Sequence, residues 1–396
     1  MWGAKCLLLA LLGSMFIAPS HGVITEQLSS AINNFTLDLL QASFNSTNRG
    51  NNTILSPLSL YTVLAMLQQG AGGTTQDELN YALHAQPTST KEGLKSLIQN
   101  LTRSHLPVLL EFANKLFVKS GLIISPDFKN VSVEDFKSGI EVLDFSQAEA
   151  AAQIINSWVA EYTHQRIPDI IPSHLLTSST TLLLLNAVFF SAKWEYPFIQ
   201  QNTTQNAFYT LGGGIKSVPT MSFSQRPLRA DQCSSVNVKF VHLPFNDSEF
   251  SMLLVVPDER YGLNNVVNNL PGEKLLSFIK FSGFREVNLE LPKFKFENTS
   301  ELKETLQGME LENIFTDSAN LSGICASSIK VTGARQTAQI EVDEHGVETS
   351  GGTPIPSDPV GTTGDILEIN ADHPFIFFIV DNTNKVPLLS GWVGQP

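Results

Sequence analysis

Apolar positions in the first half of the chain recur at helical spacing. Ile24, Leu28, Ile32, Phe35 and Leu39 step by three and four, which predicts one buried helix face. A second helix opens at Ser56-Pro57. The serine oxygen can accept from the free N–H groups of the first turn, and proline fits there because its missing donor is not needed. Leu60, Val63, Leu64 and Leu67 form its stripe, and Gly70 ends it. Thr75 with Glu78, and Ser146 with Glu149, have capping-box spacing and predict two more helix starts. After the second box, Ile154, Ile155, Trp158, Val159 and Tyr162 face one way. The second half changes period. Val287 to Leu291 alternates, and the alternation continues past Pro292 through Phe294 and Phe296. Leu182 to Phe190, Phe250 to Val256 and Phe375 to Val380 are apolar runs of buried-strand length. The two periods in one chain predict a mixed α/β fold. No repeat and no Pro/Ser-rich linker divides it, so residues 23–396 read as one domain.

The first 22 residues read differently. Lys5 precedes an apolar run from Cys6 to Ala18, and small residues then offer a cleavage point after Gly22. That is the layout of a secretory signal, too short for a membrane span. No later run reaches about 18 apolar residues, so the mature chain is expected to be soluble. Nine Asn-x-Ser/Thr sequons, at Asn34, Asn45, Asn51, Asn100, Asn130, Asn202, Asn246, Asn298 and Asn320, fit an exported glycoprotein. Cys6 leaves with the signal. Cys233 and Cys325 remain, either as one disulfide or as two separate thiols.

Charge and motifs narrow the function by exclusion. Lys and Arg total 25 against 38 Asp and Glu, a net charge of −13. An acidic chain does not suit nucleic acid or anionic membrane, which need a basic face. The sequence holds no Gly-x-Ser-x-Gly elbow, His-Glu-x-x-His, Cys-x-x-Cys or phosphate-binding Gly-x-x-x-x-Gly-Lys. Gly70 to Thr75 resembles a dinucleotide loop only superficially: it lacks the third glycine and follows a helix instead of a strand. His164, His174, His242 and His373 are scattered, with no i, i+4 metal pair. An enzyme, a metal site and a bound cofactor are therefore not expected.

Composition breaks once, from Glu344 to Asp365. This stretch holds five glycines and three prolines, and no Lys, Arg or aromatic residue. A long irregular segment between two strand patterns is either a tolerated insertion or a loop presented for a partner to recognise or cut.

The order of several motifs resembles the serpin family over almost the whole mature chain. Asn186-Ala-Val-Phe-Phe190 is followed by Trp194 and Phe198. Then come Leu291-Pro-Lys-Phe294, Leu306-Gln-Gly-Met309, Ile314-Phe315 and Ala319 to Gly323. The C-terminal signature His373-Pro-Phe375, Leu389-Ser-Gly-Trp-Val393 and Pro396 completes the series, with the hinge Glu344-His-Gly-Val347 before it. The resemblance implies helices around three β-sheets with an exposed reactive-centre loop at about residues 344–365. It also implies a monomeric suicide inhibitor of a serine protease. The protease forms an acyl-enzyme with the loop, which then inserts as a new strand of the large sheet.

An inserting strand must alternate, with small or apolar side chains inward. From Val347 the inward set is Val347, Thr349, Gly351, Thr353, Ile355 and Ser357, and every acid and both prolines up to Asp358 fall on the outward parity. Gly346 lets the chain turn as insertion begins. At family spacing the scissile bond is Val360-Gly361, with Ile355, Thr362 and Thr363 as alternative cleavage points. Gly346 to Val360 spans roughly 50 Å when extended. Valine suits a small apolar primary pocket, as in elastase-like or chymotrypsin-like enzymes, and cannot satisfy an acidic one. Ser56, Asn186, Trp194 and Gln336 sit where the family opens its sheet. Gln336 replaces the family's usual histidine and is expected to hydrogen-bond Asn186 or Ser56. Gly351, Gly352, Pro354 and Pro356 keep a second reading open: a non-inhibitory carrier or a cleavable substrate, because glycine and proline weaken a central strand.

Overall fold

The structure is a computed structural model that describes residues 24–46, 52–101, 108–246, 249–347 and 365–396. The expected signal segment lies outside them. The helices are α1 (Glu26–Ser46), α2 (Pro57–Gln68), α3 (Gly73–Ala82), α4 (Pro87–Leu101), α5 (Pro126–Glu134), α6 (Ala148–Tyr162), α7 (Leu263–Asn269), α8 (Gly272–Lys280) and α9 (Lys303–Gly308). No described helix is long and apolar enough to cross a membrane.

Two hydrogen-bonded ladders carry the strands. The first runs β10 (Phe294–Glu301), β11 (Val331–Val342), β12 (Gly346–Val347), β4 (Leu182–Lys193), β2 (Leu109–Lys119) and β3 (Gly139–Leu143). The second turns about β6 (Ile215–Cys233), a 19-residue strand whose register shifts between Phe223 and Arg226. Its first residues, Ile215 to Thr220, pair with β5 (Thr204–Tyr209), and Thr220 to Arg229 pair with β9 (Phe284–Pro292), which carries β13 (Leu367–Asn370). Its last residues pair with β7 (Val238–Pro244), which leads to β8 (Phe250–Pro257), β14 (Phe375–Asp381), β15 (Val386–Val393) and β1 (Thr53–Leu55). The second and third expected sheets therefore share one strand.

The apolar run in β4 has a direct cause. Leu182, Leu184, Val188 and Phe190 face the main core with Leu60, Val63 and Leu64 of α2. Leu183, Leu185 and Ala187 face Ile155, Trp158 and Val159 of α6. A strand covered on both faces needs apolar side chains of both parities. The α1 stripe is buried as its spacing predicts: Ile24, Leu28, Ile32, Phe35 and Leu39 are all in the core. On α6 the stripe is narrower than predicted, because Ile154 and Tyr162 are 44 % and 47 % exposed at its flanks.

Both capping boxes are corrected. The α3 helix starts at Gly73 after Gly72, without a side-chain cap. Thr75 accepts from the Asn320 N–H at 2.8 Å, and Glu78 accepts from the N–H groups of Glu312 and Asn313. These side chains staple residues 312–320 onto the helix, so a tertiary demand replaced the local one. Ser146 donates to Asp144 at 2.6 Å, and α6 begins at Ala148 without a side-chain cap. Gly70 follows α2 for a packing reason: a Cβ there would lie 2.4 Å from Ile324 and 3.0 Å from Phe128.

Candidate functional site

The site lies at the end of the large sheet where β4 and β11 part. The two run parallel and paired from Val331/Leu182 to Ala338/Val188. Above that point β12 separates them. Gly346 and Val347 lie opposite Lys193 and Ala192 of β4, and Val347 lies opposite Val342 of β11, both antiparallel. A tight turn makes this possible. Asp343 Oδ1 accepts the N–H groups of His345 (2.8 Å) and Gly346 (3.2 Å), and the Asp343 N–H donates to the Gly346 carbonyl at 3.1 Å. A Cβ on Gly346 would lie 2.1 Å from the Ala192 carbonyl, so only glycine fits. Val347 is 1 % exposed and joins the main core.

Three further groups fix the turn. The Trp194 indole N–H donates to the Asp343 carbonyl at 2.9 Å, and its ring stacks on Phe245 at 4.9 Å. The main-chain N–H groups of Trp194 and Phe198 donate to the carbonyls of His345 and Glu344. Glu344 is buried, with one carboxylate oxygen 2.7 Å from the Lys293 ammonium and the other accepting from the Thr203 hydroxyl at 2.8 Å. Burial pushes the Glu344 carboxyl up. The hydrogen bonds from Lys293 and Thr203 outweigh it and hold the group below its ordinary range.

Deeper in the sheet, Asn186 and Gln336 are register partners. Gln336 does not reach Asn186. Its amide instead clasps the main chain of Ser56: Nε2 donates to the Ser56 carbonyl at 3.0 Å, and Oε1 accepts the Ser56 N–H at 2.8 Å. The Ser56 hydroxyl caps α2 through the Ser59 N–H and donates to the Leu388 carbonyl at 2.9 Å. Asn186 is 1 % exposed, and neither its Oδ1 nor its Nδ2 has a hydrogen-bond partner among the described residues. A fully buried amide with all its hydrogen bonds unmade is costly.

Thr349, Thr353, Val360 and Gly361 lie outside the described residues, as does Asn51. Among the other sequons, Asn45, Asn130, Asn202, Asn246 and Asn320 are exposed, while Asn34, Asn100 and Asn298 are half-buried. Asn34 is wedged against α8, where a Cβ on Gly272 would meet its Oδ1 at 1.8 Å. Cys233 and Cys325 are separate free thiols, which decides between the two arrangements open in the sequence.

Sequence reasoning did not identify Lys293, Thr203 and Asp343. Lys293 had a signal, since it is the one charge inside Leu291-Pro-Lys-Phe294, but its partner is 51 residues away. No described group of three or more His, Cys, Asp or Glu side chains is arranged to hold a metal ion. Among the described residues, Ser251 contacts the His242 imidazole at 3.1 Å. Both residues are sealed in the core, and Arg229 sits on the same imidazole nitrogen. Burial, aided by the Arg229 charge, lowers His242 to about 3, so it does not serve as a base for an outside substrate.

Residues 30–396 match the family described as Serpin (serine protease inhibitor). Human Serpin B3 is 30 % identical over 392 residues, covering 94 % of this chain and all of that protein. The bovine leukocyte elastase inhibitor is 29 % identical, with the same coverage. Among solved structures, Serpin48 of the insect Tenebrio molitor, described as a highly specific serpin, aligns with a TM-score of 0.83 at 29 % identity, over 95 % of this chain and all of that one.

Proposed function

This chain belongs to the serpin family, and from that premise we propose that it is a secreted, monomeric suicide inhibitor of a serine protease with a small apolar primary pocket. The observation that carries this reading is β12. Two residues of the segment that would insert already sit between β4 and β11, paired with both. The slot's geometry therefore accepts an antiparallel strand from this loop, with Val347 turned inward as its parity requires.

The chemistry follows from that seat. The protease serine attacks the Val360 carbonyl, the Val360–Gly361 bond breaks, and the Gly361 amine leaves with the proton from the protease histidine. The acyl ester stays on Val360. Counting on from the Val347 pairs, Thr353 would come opposite Asn186 on β4 and Gln336 on β11, on the same inner face. Its hydroxyl would offer the orphaned Asn186 amide a partner that the uncleaved sheet lacks. Insertion would then relieve a polar penalty as well as add a strand. Glu344, Gly346, Val347 and Thr349 act as the hinge, and Ser56, Asn186, Trp194 and Gln336 govern the opening of the sheet. Export through the first 22 residues and glycans on the exposed sequons belong to the same reading.

A second reading is favoured by Pro354 and Pro356, which withhold ladder donors from the inserted strand. It makes the protein a non-inhibitory carrier or a cleavable substrate. Incubation with elastase-like and chymotrypsin-like proteases, followed by SDS gel electrophoresis, separates the two. An inhibitor leaves a band at the summed mass of protein and protease. A nicked chain alone, melting at the same temperature as the intact protein, would establish the second reading.

A further inference from the structure

We propose, on the inhibitory reading above, that Arg335 is a latch across the β4/β11 seam, a positioning residue that sets how readily the large sheet opens. Ala334, Ala338 and Ile340 of β11 face the main core, so Arg335 lies on the other face of the sheet, opposite Leu185 of β4. Residues 165–173 form a strap that leads from α6 back across this face. Ile167, Ile170 and Ile171 of the strap pack with Leu183, Leu185 and Ala187 of β4. Asn156 of α6 fixes the crossing. Its Oδ1 accepts the N–H groups of Ile170 and Ile171 at 3.0 Å each, and its Nδ2 donates to the Ile171 carbonyl at 3.0 Å. The strap is thus carried by α6 and β4.

Its tie to the far side of the seam is polar. Arg335 Nη1 donates to the Ile170 carbonyl at 2.7 Å, and Nε donates to Glu301 of β10 at 3.0 Å. An open cleft of about 1110 Å³ lies between α6, the strap and Thr299 of β10, so apolar packing does not seal this edge. One guanidinium therefore joins a segment carried by β4 to the two strands across the seam. Neighbouring strands lie about 4.8 Å apart, so a strand inserted between β4 and β11 moves Arg335 away from Ile170 by about that distance. A hydrogen bond of 2.7 Å does not survive such a separation. The contact is made only while the sheet is closed. The latch stabilises the uncleaved protein, opposes insertion and contributes nothing once the new strand is in place. Because the acyl-enzyme is open to hydrolysis until insertion is complete, the latch also divides encounters between covalent complex and nicked chain.

Arg335→Met keeps an apolar stem and removes both donors. Melting temperatures are measured for the uncleaved chain and for the chain nicked by an elastase-like protease, with the ratio of covalent complex to nicked chain read from SDS gels. Arg335→Met should lower the melting temperature of the uncleaved form by about 2–4 °C and leave that of the nicked form unchanged. The ratio of complex to nicked chain should rise about three- to tenfold. Arg335→Lys, which keeps one cation beside Glu301, should fall between the parent and Arg335→Met in both readouts. Equal lowering of the two melting temperatures would make Arg335 an ordinary structural contact and overturn the proposal, as would an unchanged ratio. A parent chain whose melting temperature does not rise on nicking would instead overturn the inhibitory reading, and the latch with it.

Discussion

Glu344 and Lys293 meet at 2.7 Å at the head of the large sheet, and the carboxylate is 4 % exposed while the ammonium is 33 % exposed. This pair ties the turn after β11 to the residue between β9 and β10. Breaking a buried pair from one side leaves an uncompensated charge, which costs about 3–5 kcal/mol when both partners are fully buried. Partial exposure of Lys293 reduces that to about 1–3 kcal/mol. Glu344→Lys is therefore expected to lower the unfolding midpoint and free the hinge turn, while Lys293→Glu combined with Glu344→Lys recovers part of the loss. Urea titrations of the two single variants and the double variant measure the coupling. Strictly additive losses would show that the pair contributes nothing.

The same carboxylate sets an acid dependence. Its folded-state pKa is depressed below the ordinary value of 4.5. Its contribution is therefore fully present above that value and disappears as pH falls through the lower, folded one. Stability of the native protein should decline more steeply below about pH 4.5 than that of Glu344→Gln. Parallel slopes in chemical unfolding across that window would assign the acid sensitivity to other groups.

Asn186 provides a test with the opposite sign. Both amide atoms are orphaned beneath the sheet, so an apolar side chain of similar shape removes a penalty and breaks no hydrogen bond. Asn186→Leu is expected to stabilise the uncleaved protein by about 1–3 kcal/mol, read from its urea midpoint. It should also reduce the gain in melting temperature on loop cleavage, since the inserted Thr353 would lose its partner. Destabilisation of the uncleaved form would mean that the amide is satisfied there.

The sequence was informative where local pattern and burial coincide. The α1 stripe and the two-sided β4 run are visible because period alone fixes which face is buried. The order of motifs was enough to indicate the family. Partner choice was not legible. Gln336 reaches Ser56 across 280 residues, and only the packing of β11 over the start of α2 brings them together. Thr75, Glu78 and Ser146 have the spacing of helix caps, yet each is used by a chain segment or acid that spacing does not encode. The seating of β12 was also hidden. Gly346-Val347 reads as part of a hinge at the head of the irregular stretch from Glu344, and two residues carry no period that would show them already paired in the sheet.

The cleavage position has its own test. Valine at 360 cannot pair with the buried acid of a trypsin-like primary pocket, whereas arginine can. Val360→Arg should raise covalent capture of a trypsin-like protease by at least about tenfold and weaken capture of an elastase-like one. Rate measurements with both proteases, and mass analysis of the released C-terminal peptide, check it. Capture unchanged for both would move the scissile bond to Ile355, Thr362 or Thr363.

If the loop inserts as proposed, its two prolines would act on one side of the new strand. The His345 carbonyl accepts from Trp194, and the Gly346 carbonyl accepts from Asp343. In an antiparallel strand the hydrogen-bonding direction alternates, so odd-numbered residues face β4 and even-numbered ones face β11. Pro354 and Pro356 are both even. Continued in the register of Val347 and Val342, they would come opposite Arg335 and Gly333 of β11 and leave those carbonyls without donors. The ladder to β4 would remain whole. Pro354→Ala with Pro356→Ala restores two hydrogen bonds, about 0.5–1.5 kcal/mol each. The benefit is confined to the inserted state. The double variant should therefore convert a larger share of encounters into covalent complex and fewer into nicked chain, with the uncleaved midpoint unchanged. A ratio of complex to nicked chain equal to that of the parent would show that the β11 ladder does not limit insertion.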